Sequence, residues 1–276
     1  MTWRKALFLG LIQGLTEFLP VSSSGHLAIF RMLLGEEAEG DLFFGVILHL
    51  GTLFAVLISF REDVFGLFRT CISLFRRQRG AAEAEGKRLF FLLLTALLPM
   101  AFAIPLEKLA GDRLSSPVTS GAGLLLTSLI LCAADRIREG EKSAGHGARL
   151  RDALFVGAAE LLAVTPGVSR SGTTMAAGMM RGFSRDFAIR FSFLLSIPTI
   201  LAAFLWETVK SLGSGSFQPD LWGKYAAGFL TAAAVGFFAI RAVRFLGRRK
   251  KLTVFSVYCA GMGLFTLAWC FFSGRI

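Results

Sequence analysis

Eight apolar stretches divide the chain, and two of them are too short to do what the other six can. Residues of about 42–60, 89–106, 117–134, 187–206, 222–240 and 253–272 are each long and apolar enough to span a bilayer. Residues 6–19 run apolar and then break at Pro20 and the serine run Ser22-Ser23-Ser24; residues 153–165 break in the same way at Pro166-Gly167. A hydrocarbon core needs about twenty helical residues, which neither short stretch supplies. A short helix, a polar turn and a second short helix describe a re-entrant hairpin. Its irregular backbone is tolerated at membrane depth only inside protein or against a water-filled cavity.

Composition supports the membrane assignment. Of the 276 residues 54% are hydrophobic, and the mean hydropathy is +0.62, too apolar for a soluble domain of this length. The net charge of +11 would suggest nucleic acid in a soluble protein. Here the basic residues fall in short stretches between apolar runs, so nucleic acid is not an expected partner. Cys71, Cys132, Cys259 and Cys270 show neither metal-ligand nor disulfide spacing and read as small apolar packers. Arg4 and Lys5 precede an apolar stretch, but Gln13 and Glu17 interrupt it and no small-residue cleavage site follows, which argues against a signal peptide.

The basic stretches set an expected orientation. Seven Lys/Arg lie in 61–88, five in 135–151 and six in 241–251, whereas 107–116 holds Lys108 and Arg113 and 207–221 only Lys210. Positive-inside counting places the first three in the cytoplasm. Both termini and the acidic stretch Glu36, Glu37, Glu39 and Asp41 then fall outside.

The chain also repeats itself. A shift of 147 places Gln13 on Glu160 and Val21-Ser22-Ser23-Ser24-Gly25 on Val168-Ser169-Arg170-Ser171-Gly172; it also carries Thr52 onto Thr199 and Ala55 onto Ala202. Each copy holds one hairpin and three spans. Three is odd, so the second copy must be inserted upside down. The expected fold is all-α and integral to the membrane: six transmembrane helices plus two re-entrant hairpins in an inverted-topology repeat. The chain is a single membrane domain over 1–276, with repeats of about 1–134 and 150–276.

Polar residues concentrate on the hairpins. Gln13 and Glu17 are four apart and share one helix face. An ionisable side chain on a membrane-embedded helix marks a functional cavity by default. Ser22, Ser23 and Ser24, followed by a new helix, offer hydroxyls and free N–H groups to an anion. His26, next to them, is a candidate acid or base. In the second hairpin the guanidinium of Arg170 needs an anionic partner, and its planar fork suits phosphate. The alternative is an ion pair with Glu17 or Glu160 that joins the hairpins; the two are compatible. Ser169, Ser171 and Thr174 add hydroxyls. Glu160 is evenly balanced between site and structural partner, His49 reads as an interhelical hydrogen bonder, His146 as solvated, and Trp206 and Trp222 as interfacial anchors.

The strings GLTEFLPVSSSGHL and PGVSRSGTT resemble the two signatures of the bacterial undecaprenyl-diphosphate phosphatases, the bacitracin-resistance type, in an order and separation that cover nearly the whole chain. The resemblance implies an inner-membrane enzyme that removes the terminal phosphate of a polyprenyl diphosphate lipid at the extracytoplasmic side. It also implies recycling of the carrier lipid for peptidoglycan and bacitracin resistance. Where the family carries an acidic or amide residue four before the second Glu, this chain has Gln13, so a pair-of-carboxylates metal site is in doubt. A divalent cation, Mg2+ or Ca2+, would then bridge Glu17 and the diphosphate. The bilayer and the lipid are the expected partners, and a homodimer is left open.

The expected mechanism gives Arg170, Ser169, Ser171 and Thr174 to the diphosphate, with Ser22, Ser24 and Gln13 beside them. Ser23 is the nucleophile, activated by His26 or Glu17, with a water nucleophile as the alternative. One rival is a polyprenyl-phosphate flippase or transporter, which broken helices in inverted repeats suit equally well. The other is an acid-phosphatase-type membrane phosphatase. That chemistry needs a histidine downstream of the Ser-Arg motif, and none follows Arg170.

Overall fold

A computed structural model of the chain describes residues 1–33, 42–73, 81–110, 116–213, 221–249 and 251–273. The acidic stretch Glu36–Asp41 and Arg113 lie outside the described residues. The described chain is helical: α1 (Trp3–Phe18), α2 (Ser23–Leu33), α3 (Leu42–Ser59), α4 (Arg61–Ser73), α5 (Ala81–Leu97), a 3-10 segment (Leu98–Phe102), α6 (Ala103–Ala110), α7 (Pro117–Arg136), α8 (Leu150–Leu162), α9 (Arg170–Met180), α10 (Arg185–Gly213), α11 (Trp222–Arg248) and α12 (Leu252–Phe272).

Local chemistry accounts for the helix ends. Thr2 caps α1 by accepting from the Lys5 N–H, and Pro20 stops the helix from continuing. Ser116 accepts from the Val118 N–H, and Pro117 occupies the first helical position of α7, where its missing N–H costs nothing. Ser169 caps α9 through the Gly172 N–H at 3.2 Å.

Among the described residues, five helical segments are long and apolar enough to cross a membrane: Glu83–Leu106, Pro117–Arg136, Arg185–Trp206, Trp222–Arg248 and Leu252–Phe272. Each overlaps an expected span. The sixth, 42–60, lies on α3, which meets the length criterion only jointly with α4 across an 84° bend. The basic stretch 61–88 is therefore not a loop: α4 and the first turns of α5 occupy much of it. Its charge had marked it as a connection, but Glu62, Asp63 and Arg69 alternate with Phe65, Phe68 and Ile72, a pattern an amphipathic helix accommodates. Likewise α11 runs through most of 241–251.

Ion pairs draw the three basic stretches to one end of the molecule. Asp63 pairs with Arg190, Asp135 with Arg185 (3.0 Å) and Asp186 with Arg248. Buried Asp152 receives Lys142 at 3.1 Å and Arg181 at 2.8 Å. Arg88 donates to the Ala148 carbonyl at 2.6 Å. At α11's other terminus, Trp3 packs over Gly223.

Those contacts orient both hairpins. Helices α1 and α2 fold back on each other, with the rings of Phe8 and Phe30 edge-on at 5.4 Å. Helices α8 and α9 do the same, because Arg181, just past α9, binds Asp152 in the first turn of α8. The first hairpin starts at the Trp3 end and the second at the basic end, so their tips approach from opposite directions. Close helix packing makes room for this. Gly10 and Gly14 of α1 meet Gly228, Ala232 and Gly236 of α11, where a methyl on Gly14 would fall 2.8 Å from the Ala232 carbonyl.

Candidate active site

The two tips touch. A methyl on Gly25 would sit 3.2 Å from the Gly167 Cα, and one on Gly172 would sit 3.0 Å from the Pro20 side chain. Helix α7 fixes the second tip: Thr127 donates to the Gly167 carbonyl at 3.0 Å and accepts from the Ser169 N–H at 2.9 Å. Gly167 adopts φ +87°, a left-handed conformation that a side chain would oppose. In the first tip Ser22 takes φ +68°, the one described non-glycine residue with positive φ. A serine there is unusual and costs strain.

A cavity of about 330 Å³ opens where the tips meet. Helices α2 and α9 both begin at it: Ser23, Ser24 and Arg170 in their first turns line it, while the Gly25 and Gly172 N–H groups are taken up by the Ser22 and Ser169 hydroxyls. Ser22, Ser23, Ser24, Ser169 and Arg170 line it, together with Glu17 and Glu160. The remaining wall is largely apolar, including Val46 from α3, Met100 from the 3-10 segment, and Ile200 and Phe204 from α10.

Glu17 is the hub. One carboxylate oxygen accepts from the Arg170 guanidinium. The other accepts from the Ser23 hydroxyl at 2.7 Å and from the Gln13 amide at 2.9 Å. The Gln13 nitrogen also lies 2.9 Å from His49 Nδ1, which is 3.5 Å from Glu17. Arg170 donates in addition to the Thr199 hydroxyl at 3.2 Å. A buried carboxylate and a guanidinium thus neutralise each other across the hairpin junction. The internal pair expected as an alternative is present, within a cavity a phosphate could enter.

The expected site residues separate into two groups. Glu17, Ser22, Ser23, Ser24, Ser169 and Arg170 all line the cavity. Gln13 does not; it is fully buried and holds Glu17 in place rather than facing a ligand. Ser171 is buried and lies 3.3 Å from the Ser169 hydroxyl. The Thr174 hydroxyl is shared between the Arg170 carbonyl and Ser192 at 2.6 Å, so it braces α9 against α10. His26 is turned away altogether. Its Nδ1 lies 2.8 Å from the Ser22 carbonyl, its Nε2 lies 2.8 Å from the Tyr258 hydroxyl, and the ring stacks on Tyr258 of α12. Three residues beyond Ser23 on a helix, it projects toward α12, and both nitrogens are engaged. Of the two expected bases, only Glu17 touches Ser23.

His49 and Thr199 belong to the cavity, although neither carries a site role in the sequence reading. His49 offered a signal in its mid-span position. Thr199 offered one in the repeat, where it matches Thr52, but that match served only to fix the register.

Among the described residues no group of three or more His, Cys, Asp or Glu side chains could hold a metal ion. Glu17, expected to share a cation with the diphosphate, spends both oxygens on Arg170, Ser23 and Gln13. Glu160 does not: it is buried against the cavity, and neither of its oxygens has a hydrogen-bond partner among the described residues. A cation held by one carboxylate and substrate oxygens therefore fits these residues, and an all-protein cage does not.

The model of a known family, described as bacitracin resistance protein BacA, matches residues 6–265. A protein of Halothermothrix orenii named undecaprenyl-diphosphatase is 38% identical over 261 residues, covering 94% of this chain and 95% of the relative. Proteins of the same name from Alkaliphilus metalliredigens and Parabacteroides distasonis are 36% and 35% identical, with 95% and 97% of this chain covered and 97% and 98% of each relative. The chain belongs to the BacA family.

Proposed function

We propose that this member of the BacA family hydrolyses undecaprenyl diphosphate to undecaprenyl phosphate and inorganic phosphate, which recycles the carrier lipid for peptidoglycan synthesis and confers bacitracin resistance. The relatives' shared name supports the substrate. The observation that carries the chemistry is the Ser23 hydroxyl, 2.7 Å from a carboxylate that also pairs with Arg170 at the junction of two helix N-termini.

In this reading the chain sits in the bacterial inner membrane as six spans and two re-entrant hairpins, the halves inverted. Helix packing supports the repeat. In the 147 register α1 corresponds to α8 and α5 to α11, and α1 packs on α11 as α8 packs on α5. Helix α3 packs on its counterpart α10, and α7 and α12, which follow α5 and α11 in chain order though outside that register, also pack on each other. The end gathered by ion pairs lies in the cytoplasm, and the cavity opens to the extracytoplasmic leaflet.

The terminal phosphate enters between the helix N-termini, where Arg170, Ser169 and the first N–H groups of α2 and α9 hold its oxygens. The apolar wall of Val46, Ile200 and Phe204 receives the first isoprene unit. Arg170 turns from Glu17 to the phosphate, and Glu17 becomes a free base beside Ser23. Ser23 Oγ attacks the terminal phosphorus, its proton passes to Glu17, and the bond to the bridging oxygen breaks. Undecaprenyl phosphate leaves. The proton held by Glu17 leaves with it. The regenerated carboxylate then deprotonates a water that attacks the phosphoserine phosphorus. The bond to Ser23 Oγ breaks as Oγ takes that proton back from Glu17, and inorganic phosphate is released. A divalent cation, when bound, would offset the charge of the diphosphate.

Phosphate release from undecaprenyl diphosphate by purified protein in detergent is the test. Hydrolysis needs no sealed membrane, so turnover in detergent separates the enzyme from a lipid transporter. Ser23→Ala and Arg170→Ala should both abolish release. Substantial turnover by Ser23→Ala alone would leave Ser23 as a phosphate ligand and make water the nucleophile.

A further inference from the structure

We infer that Glu160, rather than Glu17, is the protein carboxylate that takes a divalent cation together with the diphosphate oxygens of the substrate. The inference deepens the proposed function and rests on it.

Glu160 lies on α8 and is 2% exposed, yet it lines the cavity and neither oxygen receives a hydrogen bond among the described residues. A buried carboxylate without donors is costly, so a residue of this kind signals a partner that arrives from elsewhere. Its neighbours are already committed. Arg170 acts on it electrostatically but directs its nitrogens to Glu17 and Thr199. The Thr199 hydroxyl also lies close enough to act on it, but its hydrogen is shared with the Leu195 and Ser196 carbonyls of its own helix. Glu17, by contrast, keeps the Ser23 and Gln13 hydrogen bonds on one oxygen when Arg170 turns to the phosphate, and serves there as the base.

Charge balance points the same way. The formal charges at the cavity are Glu17, Glu160 and Arg170, with His49 on the α3 side able to add one. With Glu160 ionised, two carboxylates against one guanidinium leave the site negative before any substrate enters. A diphosphate adds at least about two further negative charges, which cannot be held in an apolar surround without a cation. Mg2+ and Ca2+ bind to one or two carboxylates plus phosphate oxygens, and Glu160 is the carboxylate with lone pairs to give. The repeat register adds a reason. Gln13 and Glu160 are equivalent positions, and this chain carries the amide where Glu17 must be oriented and the carboxylate where the cavity needs charge.

The test is Mn2+ binding to detergent-purified protein, followed by electron paramagnetic resonance with and without methylenediphosphonate, a non-hydrolysable diphosphate. Wild type should bind Mn2+ more tightly when methylenediphosphonate is present. Glu160→Gln should weaken that binding about tenfold or more, while Glu160→Asp, which keeps the carboxylate, retains most of it. Without Mn2+ the order should reverse: Glu160→Gln should bind methylenediphosphonate more tightly than wild type, because a repelling charge is gone. The reversal also shows that the variant is folded. Diphosphonate-dependent Mn2+ binding by Glu160→Gln within about twofold of wild type would overturn the inference, as would its absence from wild type; the first is what a protonated Glu160 predicts. Phosphate release by wild type in the same preparation scores the proposed function separately.

Discussion

Thr199→Val is the most informative single change at Arg170, the arginine proposed to hold the phosphate. Valine keeps the shape of threonine and removes the one hydroxyl oxygen that accepts from Arg170, at 3.2 Å. A hydrogen bond to a charged group contributes about 1.5–3 kcal/mol. This contact is at the long end of the usual range, so the lower figure applies. At about 1.4 kcal/mol per factor of ten, the expected loss is about tenfold in kcat/KM. Fold stability should move less. Within α10 the Thr199 hydroxyl donates to carbonyls that already belong to the helix, so its removal orphans nothing in α10. The assay is phosphate release against undecaprenyl diphosphate concentration in detergent, with the thermal midpoint of each variant measured alongside. Thr199→Ser should restore most of the loss, because it returns the acceptor. Thr199→Val with kcat/KM within about twofold of wild type would refute the argument that this contact aims Arg170 at the phosphate.

Two further outcomes follow from groups outside the cavity. Tyr258→Phe removes the hydroxyl that holds His26 Nε2 at 2.8 Å and leaves a buried ring nitrogen without a partner; it should cost about 1–3 kcal/mol, seen as a lower thermal midpoint, with a partial loss of phosphate release because His26 braces the strained Ser22. Burial works to raise the Asp152 carboxyl, but hydrogen bonds from Arg181 and Lys142, and from the Arg149 N–H, outweigh it and hold it below the ordinary carboxylate range. A lowered folded-state value contributes stability that is present above about pH 4 and lost as pH falls through the folded value, so wild type should lose thermal stability on acidification more steeply than Asp152→Asn, and equal slopes for the two would contradict the role given to Asp152.

What the sequence made legible was set by pattern and by polarity out of place. Apolar length located five spans and the stretch 42–60, which passes for a span only jointly with α4 across their bend, and Pro20 and Pro166 located the breaks between hairpin helices. The polar residues Glu17, Ser23 and Arg170 stood out because membrane segments rarely carry them. What stayed hidden was direction. His26 and Ser23 are three apart on one short helix, yet one faces Tyr258 and the other Glu17. Deciding between those directions requires the positions of α12 and α1, which no local signal encodes. Thr199 was hidden for another reason: a threonine within an apolar helix is ordinary, since it satisfies its own hydroxyl on the preceding turn, and only the approach of Arg170 from another hairpin gives it a second role. Charge density misled in one place, because Glu62, Asp63 and Arg69 suit the polar face of α4 as well as they suit a loop.

The pairing of Glu17 with Arg170 also bears on how an empty site survives in a bilayer. Either charge alone at that depth would cost several kcal/mol or more. Held together across the tips, they stabilise the junction when no substrate is present, and each masks the other's chemistry. A carboxylate engaged by a guanidinium is a poor base, and a guanidinium engaged by a carboxylate is a poor phosphate ligand. On the proposed mechanism one event reverses both conditions: phosphate draws Arg170 away, and Glu17, still oriented by Gln13, is left with the Ser23 hydroxyl in contact. Substrate binding and activation of the nucleophile are then the same rearrangement. Arg170→Ala should therefore lose both phosphate affinity and the restraint on Glu17, whereas Gln13→Leu should lower kcat with little change in KM, because Gln13 touches the base and not the cavity. An equal rise in KM for both variants would show that Gln13 acts on binding and would break the division of roles between the two hairpins.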